Sequence, residues 1–84
     1  VFSNVLPREF VELTTQYAAG NVVRARELQL SAIDKVRALF VEANPVPVKA
    51  VLAKMGIIAH PTVRLPLTPL SARSEEVVNE AFGL

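Results

Sequence analysis

Leu6, Phe10, Leu13 and Tyr17 recur at steps of three and four, which places them within a narrow arc of one helix face. The spacing predicts a first helix over residues 5–19. Asn4 is its expected N-cap, Pro7 falls in the first turn where a missing N–H costs nothing, and Gly20 supplies the left-handed position that ends it. Asn21 can cap a second helix at once, and the lack of Gly and Pro from Val22 to Val41 makes residues 22–41 the longest predicted element. Ala25, Leu28, Ala32, Val36 and Leu39 form its main stripe, flanked by Ile33 and Phe40. Val23, Leu30 and Val41 fall together on the wheel beyond that flank, with Arg37 near them and Glu27 and Asp34 close by. A helix that is apolar in two directions is expected to have two neighbours.

A third helix over residues 45–55 is signalled by Asn44 as cap and Pro45 at its first position, then by Val48, Val51, Leu52 and Met55 on one face, with Gly56 as its stop. Residues 57–70 hold Pro61, Pro66 and Pro69 among apolar residues. That composition resists regular structure yet is too apolar for a solvated linker, so the segment is expected to lie flat on a neighbour. Ser71 or Ser74 can cap a last helix over residues 72–82. Glu75 and Glu76 suit its first turn, Val77, Val78, Ala81 and Phe82 give it a buried side, and Gly83 stops it. Strand-like alternation is confined to Val1–Ser3. The pattern as a whole predicts an all-α fold, a small bundle of about four helices forming a single domain over residues 1–84.

At 84 residues, 51% of them hydrophobic, the chain has room for one core, and a thin one. Without cysteine, neither a disulfide nor a thiolate metal site can staple it, so packing or association has to supply stability. The net charge of +1 gives no steering toward nucleic acid or anionic membranes, and Arg24, Arg26, Lys35 and Arg37 scatter around the wheel among Glu27 and Asp34. No apolar run approaches the roughly 18 to 20 residues that span a bilayer, and no signal-peptide pattern opens the chain. No nucleic-acid partner and no membrane are expected, and the expected location is the cytoplasm. The chain opens on Val1 rather than Met and enters an apolar stretch directly, the look of an excised or processed segment.

Two runs carry a family resemblance. Phe40-Val41-Glu42-Ala43-Asn44-Pro45-Val46-Pro47-Val48-Lys49, then Met55-Gly56 and Arg64-Leu65-Pro66-Leu67-Thr68-Pro69-Leu70, resemble in order and spacing the C-terminal region of bacterial dihydrodipicolinate synthases. Val1-Phe2-Ser3-Asn4-Val5 is similar to the end of that family's last barrel strand, and Ala18 to Asn21 to a helix junction that follows it. The resemblance implies that the chain corresponds to the last barrel helix plus the helical appendage of a (β/α)₈ enzyme, with the barrel itself absent. In the family the barrel forms a Schiff base between pyruvate and a lysine and condenses it with aspartate semialdehyde, opening the lysine branch of biosynthesis. Such a barrel takes roughly 250 residues. The family's Schiff-base lysine, catalytic tyrosine and carboxylate-binding arginine have no counterpart here. Asn4, at the expected strand end, is the one position that could border the family's pocket, and Asn44, Pro45, Pro47, Lys49, Arg64 and Pro66 mark the structural motif.

The residues themselves offer no stronger site. Lys49 sits in the most family-like run, but a nucleophilic amine needs desolvation or a cationic neighbour in a pocket, and an amphipathic helix makes it a surface or salt-bridged lysine. Lys35 and Lys54 fare no better. His60, the one histidine, has no second imidazole or thiolate with which to build a zinc site. A Ser-His-Asp triad drawn from His60 and Asp34 lacks any strand-turn-helix elbow, and Tyr17 reads as core or interface with its hydroxyl at the edge. Three glycines far apart at helix ends form no phosphate loop, so no nucleotide, metal or other cofactor is expected.

Two readings of function follow. In the first, the chain is a C-terminal fragment or truncated homologue of the synthase, catalytically silent alone, working through helix packing and self-association as a symmetric homo-oligomer. Val23, Leu30 and Val41 are its candidate interface residues, with the apolar run from Ile57 to Leu70 as a further sticky surface. In the second, it is an independent interaction or regulatory module that binds an intact synthase subunit or another helical partner.

Overall fold

The computed structural model of the chain describes residues 1–84 and contains no strand. Its five helices are α1 (Phe2–Val5), α2 (Pro7–Ala18), α3 (Val22–Leu39), α4 (Val46–Lys54) and α5 (Ala72–Phe82). The all-α architecture is as expected, with one helix more than the pattern predicted.

That extra element corrects the reading of the first residues. Phe2–Val5 is a helical turn, with the Leu6 N–H donating to the Phe2 carbonyl at 2.9 Å and the Asn4 N–H to the Val1 carbonyl at 3.1 Å. With no neighbouring strand to pair with, these backbone groups satisfy one another locally. Asn4 therefore lies exposed inside α1, neither at a strand end nor at the cap of α2. The cap position belongs to Leu6, whose φ of −127° and ψ of 66° lie outside the helical region. A residue followed by proline is pushed out of that region, so Pro7 both separates α1 from α2 and opens α2.

Gly20 has a φ of +86°. Behind it the Asn21 N–H reaches back to the Gln16 carbonyl at 2.9 Å, the closure of a left-handed helix stop. Asn21 holds the N-cap position of α3, but its side chain does not cap; its amide donates to Gln16 Oε1 at 2.7 Å. The helix is two residues shorter than the pattern suggested: Phe40 and Val41 turn out of it, their N–H groups bonding to Arg37 and Ala38 at tighter than α-helical spacing. Phe40 is consequently exposed rather than flanking the buried stripe.

At α4 the expected order shifts by one. Pro45, not Asn44, is the N-cap, and its carbonyl accepts the Lys49 N–H at 3.0 Å. Pro47 then occupies the first turn, where no intrahelical N–H is needed. The Asn44–Pro45 and Leu65–Pro66 peptides are cis. For α5, Ser71 is the cap: its side chain accepts the Ser74 N–H at 3.2 Å, and Gly83, with a φ of +66°, closes the other end.

The core gathers Val5, Ala38, Leu39, Val48, Val51 and Val78, with Leu52, Leu70 and Phe82 packed against it. These come from α1, α4, α5 and the C-terminal half of α3. No residue of α2 is buried; Phe10 and Tyr17 of its apolar stripe are exposed, and α2 touches only α1 and α3. The molecule is accordingly elongated, 44 × 22 × 22 Å. Met55, expected on the buried face of its helix, is also exposed, because it has already left α4 as the C-cap.

Leu39 has no exposed surface. Leu39→Ala is expected to lower unfolding stability by about 2 to 5 kcal/mol, through lost burial and the cavity left behind. Leu65→Ala, at a position 89% exposed, should stay within about 0.5 kcal/mol. Urea unfolding followed by circular dichroism measures both, and equal midpoints for the two variants would show that Leu39 is not at the centre of the core.

Candidate functional site

The irregular run 57–70 folds back over α4 and the start of α5 and walls a groove of about 530 Å³. Val46, Ala50 and Ala53 form the helix side, and Pro61, Val63, Pro69 and Leu70 the opposite one. The small alanines leave the width; the prolines keep the facing wall out of regular structure. Three polar clasps hold this arrangement. Lys49 Nζ donates to the Thr62 carbonyl at 2.9 Å. Lys54 Nζ donates to Glu75 Oε1 at 2.9 Å and to Asn79 Oδ1 at 2.6 Å, joining α4 to α5. Glu42 Oε2 accepts from the Ser71 N–H at 3.0 Å and from the Ser71 hydroxyl at 3.1 Å, joining the end of α3 to the start of α5.

These clasps occupy two of the three lysines, leaving Lys35 outside them. A Schiff-base lysine needs a free amine in a desolvated pocket. Lys49 is committed to a backbone carbonyl, and Lys54 to the Glu75 carboxylate and the Asn79 side chain. Glu42 is held below its ordinary carboxylate value by the Ser74 hydroxyl first and then by the Ser71 N–H, with desolvation opposing them and the Ser71 hydroxyl adding the smallest contribution. On the other side of the molecule Arg24 bridges Glu12 of α2 at 3.1 Å and Glu27 of its own helix at 3.3 Å. Those two carboxylates, Glu12 first, raise its already high pKa.

The remaining candidates are dispersed. His60, Tyr17, Arg64 and Pro66 are exposed, and no hydrogen bond joins His60 to a serine or to Asp34. Of the family-like run, Pro47 is buried, Pro45 and Lys49 are half-buried and Asn44 is exposed. Val23 and Leu30 of α3 and Val41 just past its end have 72%, 59% and 38% of their surfaces exposed. No group of three or more His, Cys, Asp or Glu side chains is placed to hold a metal ion, and no helix is long and apolar enough to cross a membrane. Glu42, Thr62, Glu75 and Asn79 were not singled out by the sequence; Glu42 lies inside the family-like run, but its partner Ser71 is 29 positions away.

The groove and its clasps are built largely from the Phe40–Lys49 run and the Pro-rich segment, the two runs that carry the family resemblance. The sequence model of the Dihydrodipicolinate synthetase family matches residues 1–82. The chain belongs to that family. Over 82 residues it is 45% identical to the 4-hydroxy-tetrahydrodipicolinate synthase of Thermotoga maritima and 47% identical to that of Thiobacillus denitrificans, in each case over 98% of this chain. Among solved structures, dihydrodipicolinate synthase from Thermotoga maritima superposes with a TM-score of 0.94 at 42% identity over 99% of this chain. A structure described as the first monomeric dihydrodipicolinate synthase variant gives the same TM-score and identity. The chain spans 28% of the Thermotoga maritima synthase and 27% of the Thiobacillus denitrificans one. The five helices and the Pro-rich segment thus correspond to about a quarter of a dihydrodipicolinate synthetase family member.

The Glu42 clasp has a definite pH signature. Because its folded pKa lies below the ordinary 4.5, its contribution to stability is present in full above that value and is lost as pH falls through the lowered one. Glu42→Gln should therefore be less stable than the parent chain near neutrality, with the difference shrinking as pH drops below 4.5. Thermal unfolding of both chains across an acidic series measures this; a difference that does not change with pH would mean the Ser71 and Ser74 contacts do not favour the carboxylate.

Proposed function

We propose that this chain acts as the C-terminal helical region of a dihydrodipicolinate synthase, packing on the (β/α)₈ barrel and supporting subunit association, and that by itself it catalyses nothing. In the complete enzyme the reaction is the condensation of pyruvate with aspartate semialdehyde in lysine biosynthesis, carried out in the cytoplasm by residues of the barrel. The observation that carries this reading is α2: an amphipathic helix with no buried residue, whose Phe10, Val11 and Tyr17 stand in solvent. Leu13 of its apolar stripe is half-buried against the chain, and the exposed remainder of the stripe belongs against a surface outside these residues. The clasped lysines support the same conclusion from the chemical side, since neither offers a free amine to a keto acid.

Two measurements test the proposal. Incubation with pyruvate and borohydride, followed by intact-mass analysis, should give no lysine adduct; a stoichiometric adduct would overturn the non-catalytic assignment. The chain added in trans to the Thermotoga maritima synthase shortened to its barrel should bind it and restore activity, and replacing Phe10 with Asp should abolish that rescue. Absence of any complex with the shortened synthase would remove the packing role.

A further inference from the structure

The irregular segment between α4 and α5 is anchored firmly at its two ends and by a single polar contact between them. At its start the Ile57 and Ile58 N–H groups both donate to the Leu52 carbonyl, at 3.0 and 3.4 Å. At its finish Leu70 packs against the core and the Ser71 N–H donates to Glu42 at 3.0 Å. From Ala59 to Pro66 every residue is exposed except half-buried Val63. Pro61 and Pro66 deprive this stretch of two N–H groups that would otherwise tie it down. The Arg64 carbonyl accepts the Leu67 N–H at 3.0 Å, a bond internal to the segment. The one hydrogen bond from residues 59–66 to a helix is that of Lys49 Nζ on the Thr62 carbonyl, at 2.9 Å. Beneath the stretch lies the groove floor, where Ala50 and Ala53 offer little side chain to grip.

We propose that residues 59–66 are a strap latched by Lys49, which swings off α4 while all five helices stay folded, and that the Lys49 contact sets how often it opens. A segment with one half-buried apolar side chain and one tie opens at far lower cost than the core beside it. The tie is a charge-assisted hydrogen bond, the stronger kind, so it carries a large share of what holds the strap closed. Its acceptor is a backbone carbonyl, so the latch fixes the position of the chain at residue 62 whatever side chain stands there. Opening uncovers the floor of Val46, Ala50 and Ala53 and releases the Lys49 amine, the two features of this face that the closed strap conceals. The hinges fall just inside the anchors, at Ala59 and Leu67, so neither the Leu52 carbonyl nor the Glu42 clasp has to let go. The strap lies on α4 and makes no use of α2, so this inference stands or falls independently of α2 packing on a barrel.

Limited proteolysis tests the latch. Arg64 is the one arginine outside the helices, so cutting at Arg64–Leu65 by an arginine-specific protease reports the strap alone. Where opening is fast relative to cutting, the rate follows the open population. Lys49→Met keeps an apolar stem and removes the donor; it should be cut at this bond about tenfold or more faster than the parent. Lys35→Met, at the lysine outside the clasps, should stay within about two-fold of the parent. The faster cutting should change little with urea below the unfolding transition, because so short a segment exposes little surface when it opens. An unchanged rate at Arg64 in Lys49→Met overturns the proposal, and so does an increase that climbs with urea as steeply as global unfolding and brings cutting at Arg37 of α3 with it. Far-UV circular dichroism checks that the helices persist; where Lys49→Met loses them, Lys49→Gln takes its place and is read by the same two outcomes.

Discussion

Every other helix leans on α3, and the arrangement of the molecule follows from how that helix divides its main apolar stripe. It is the one element in contact with all the others. Its C-terminal half delivers Ala38 and Leu39 into the region where α1, α4 and α5 converge, and its N-terminal half has only α2 beside it. The core is therefore concentrated at one end. At the other end the contact between α2 and α3 is made by half-buried Leu13 and Leu28, reinforced by the Arg24–Glu12 bridge, with a gap of about 40 Å³ left along the seam. An ion pair that open to water is largely screened, so α2 is held by a narrow apolar seam rather than by charge.

The irregular segment obeys a different rule. A chain that forms neither helix nor strand still has backbone donors and acceptors to satisfy wherever it is covered. Here the helices reach out to it: Lys49 takes the Thr62 carbonyl, and Glu42 takes the Ser71 N–H just where the segment becomes α5. Ser71 thus has two tasks. Its hydroxyl donates to Glu42 and accepts from the Ser74 N–H, so the clasp that fixes the end of the segment also sets the first turn of the last helix. The Phe40–Lys49 run supplies both long-side-chain partners, which ties its order in sequence to a physical job: Glu42 and Lys49 stand on either side of the turn into α4.

Much of the helical layout was legible because it rests on local rules. Gly20, Gly56 and Gly83 mark left-handed stops whatever surrounds them, and Ser71 is a cap by virtue of its own oxygen. The failures share a cause, which is that tertiary context replaced a local preference. Val1–Ser3 alternates like a strand, but a strand needs a partner for its backbone, and without one the residues turned into α1. Asn21 has the side chain of a cap and the position of a cap, yet Gln16 took its amide. The clasps at Glu42, Lys49 and Lys54 were not visible at all, because their partners lie 13 to 29 residues away and no periodicity encodes such distances. Val23, Leu30 and Val41 share one side of the wheel and are exposed, but Val41 lies beyond the end of α3, which the wheel could not show.

The balance of apolar surface then connects the fold to the family match. Only ten residues are buried, while Phe10, Val11, Tyr17, Val23, Leu30 and Phe40, among others, stay exposed. Isolated exposed apolar side chains are ordinary; a series of them on successive turns of the same helices is not. They lie on α2 and on the outer side of α3, with Phe40 just past the end of α3. A two-helix layer that is apolar on both outer surfaces is stable as the middle of something thicker. The Thermotoga maritima relative is longer than this chain, the match covering 98% of this chain and 28% of that synthase, and an apolar face leaves water only where another surface covers it.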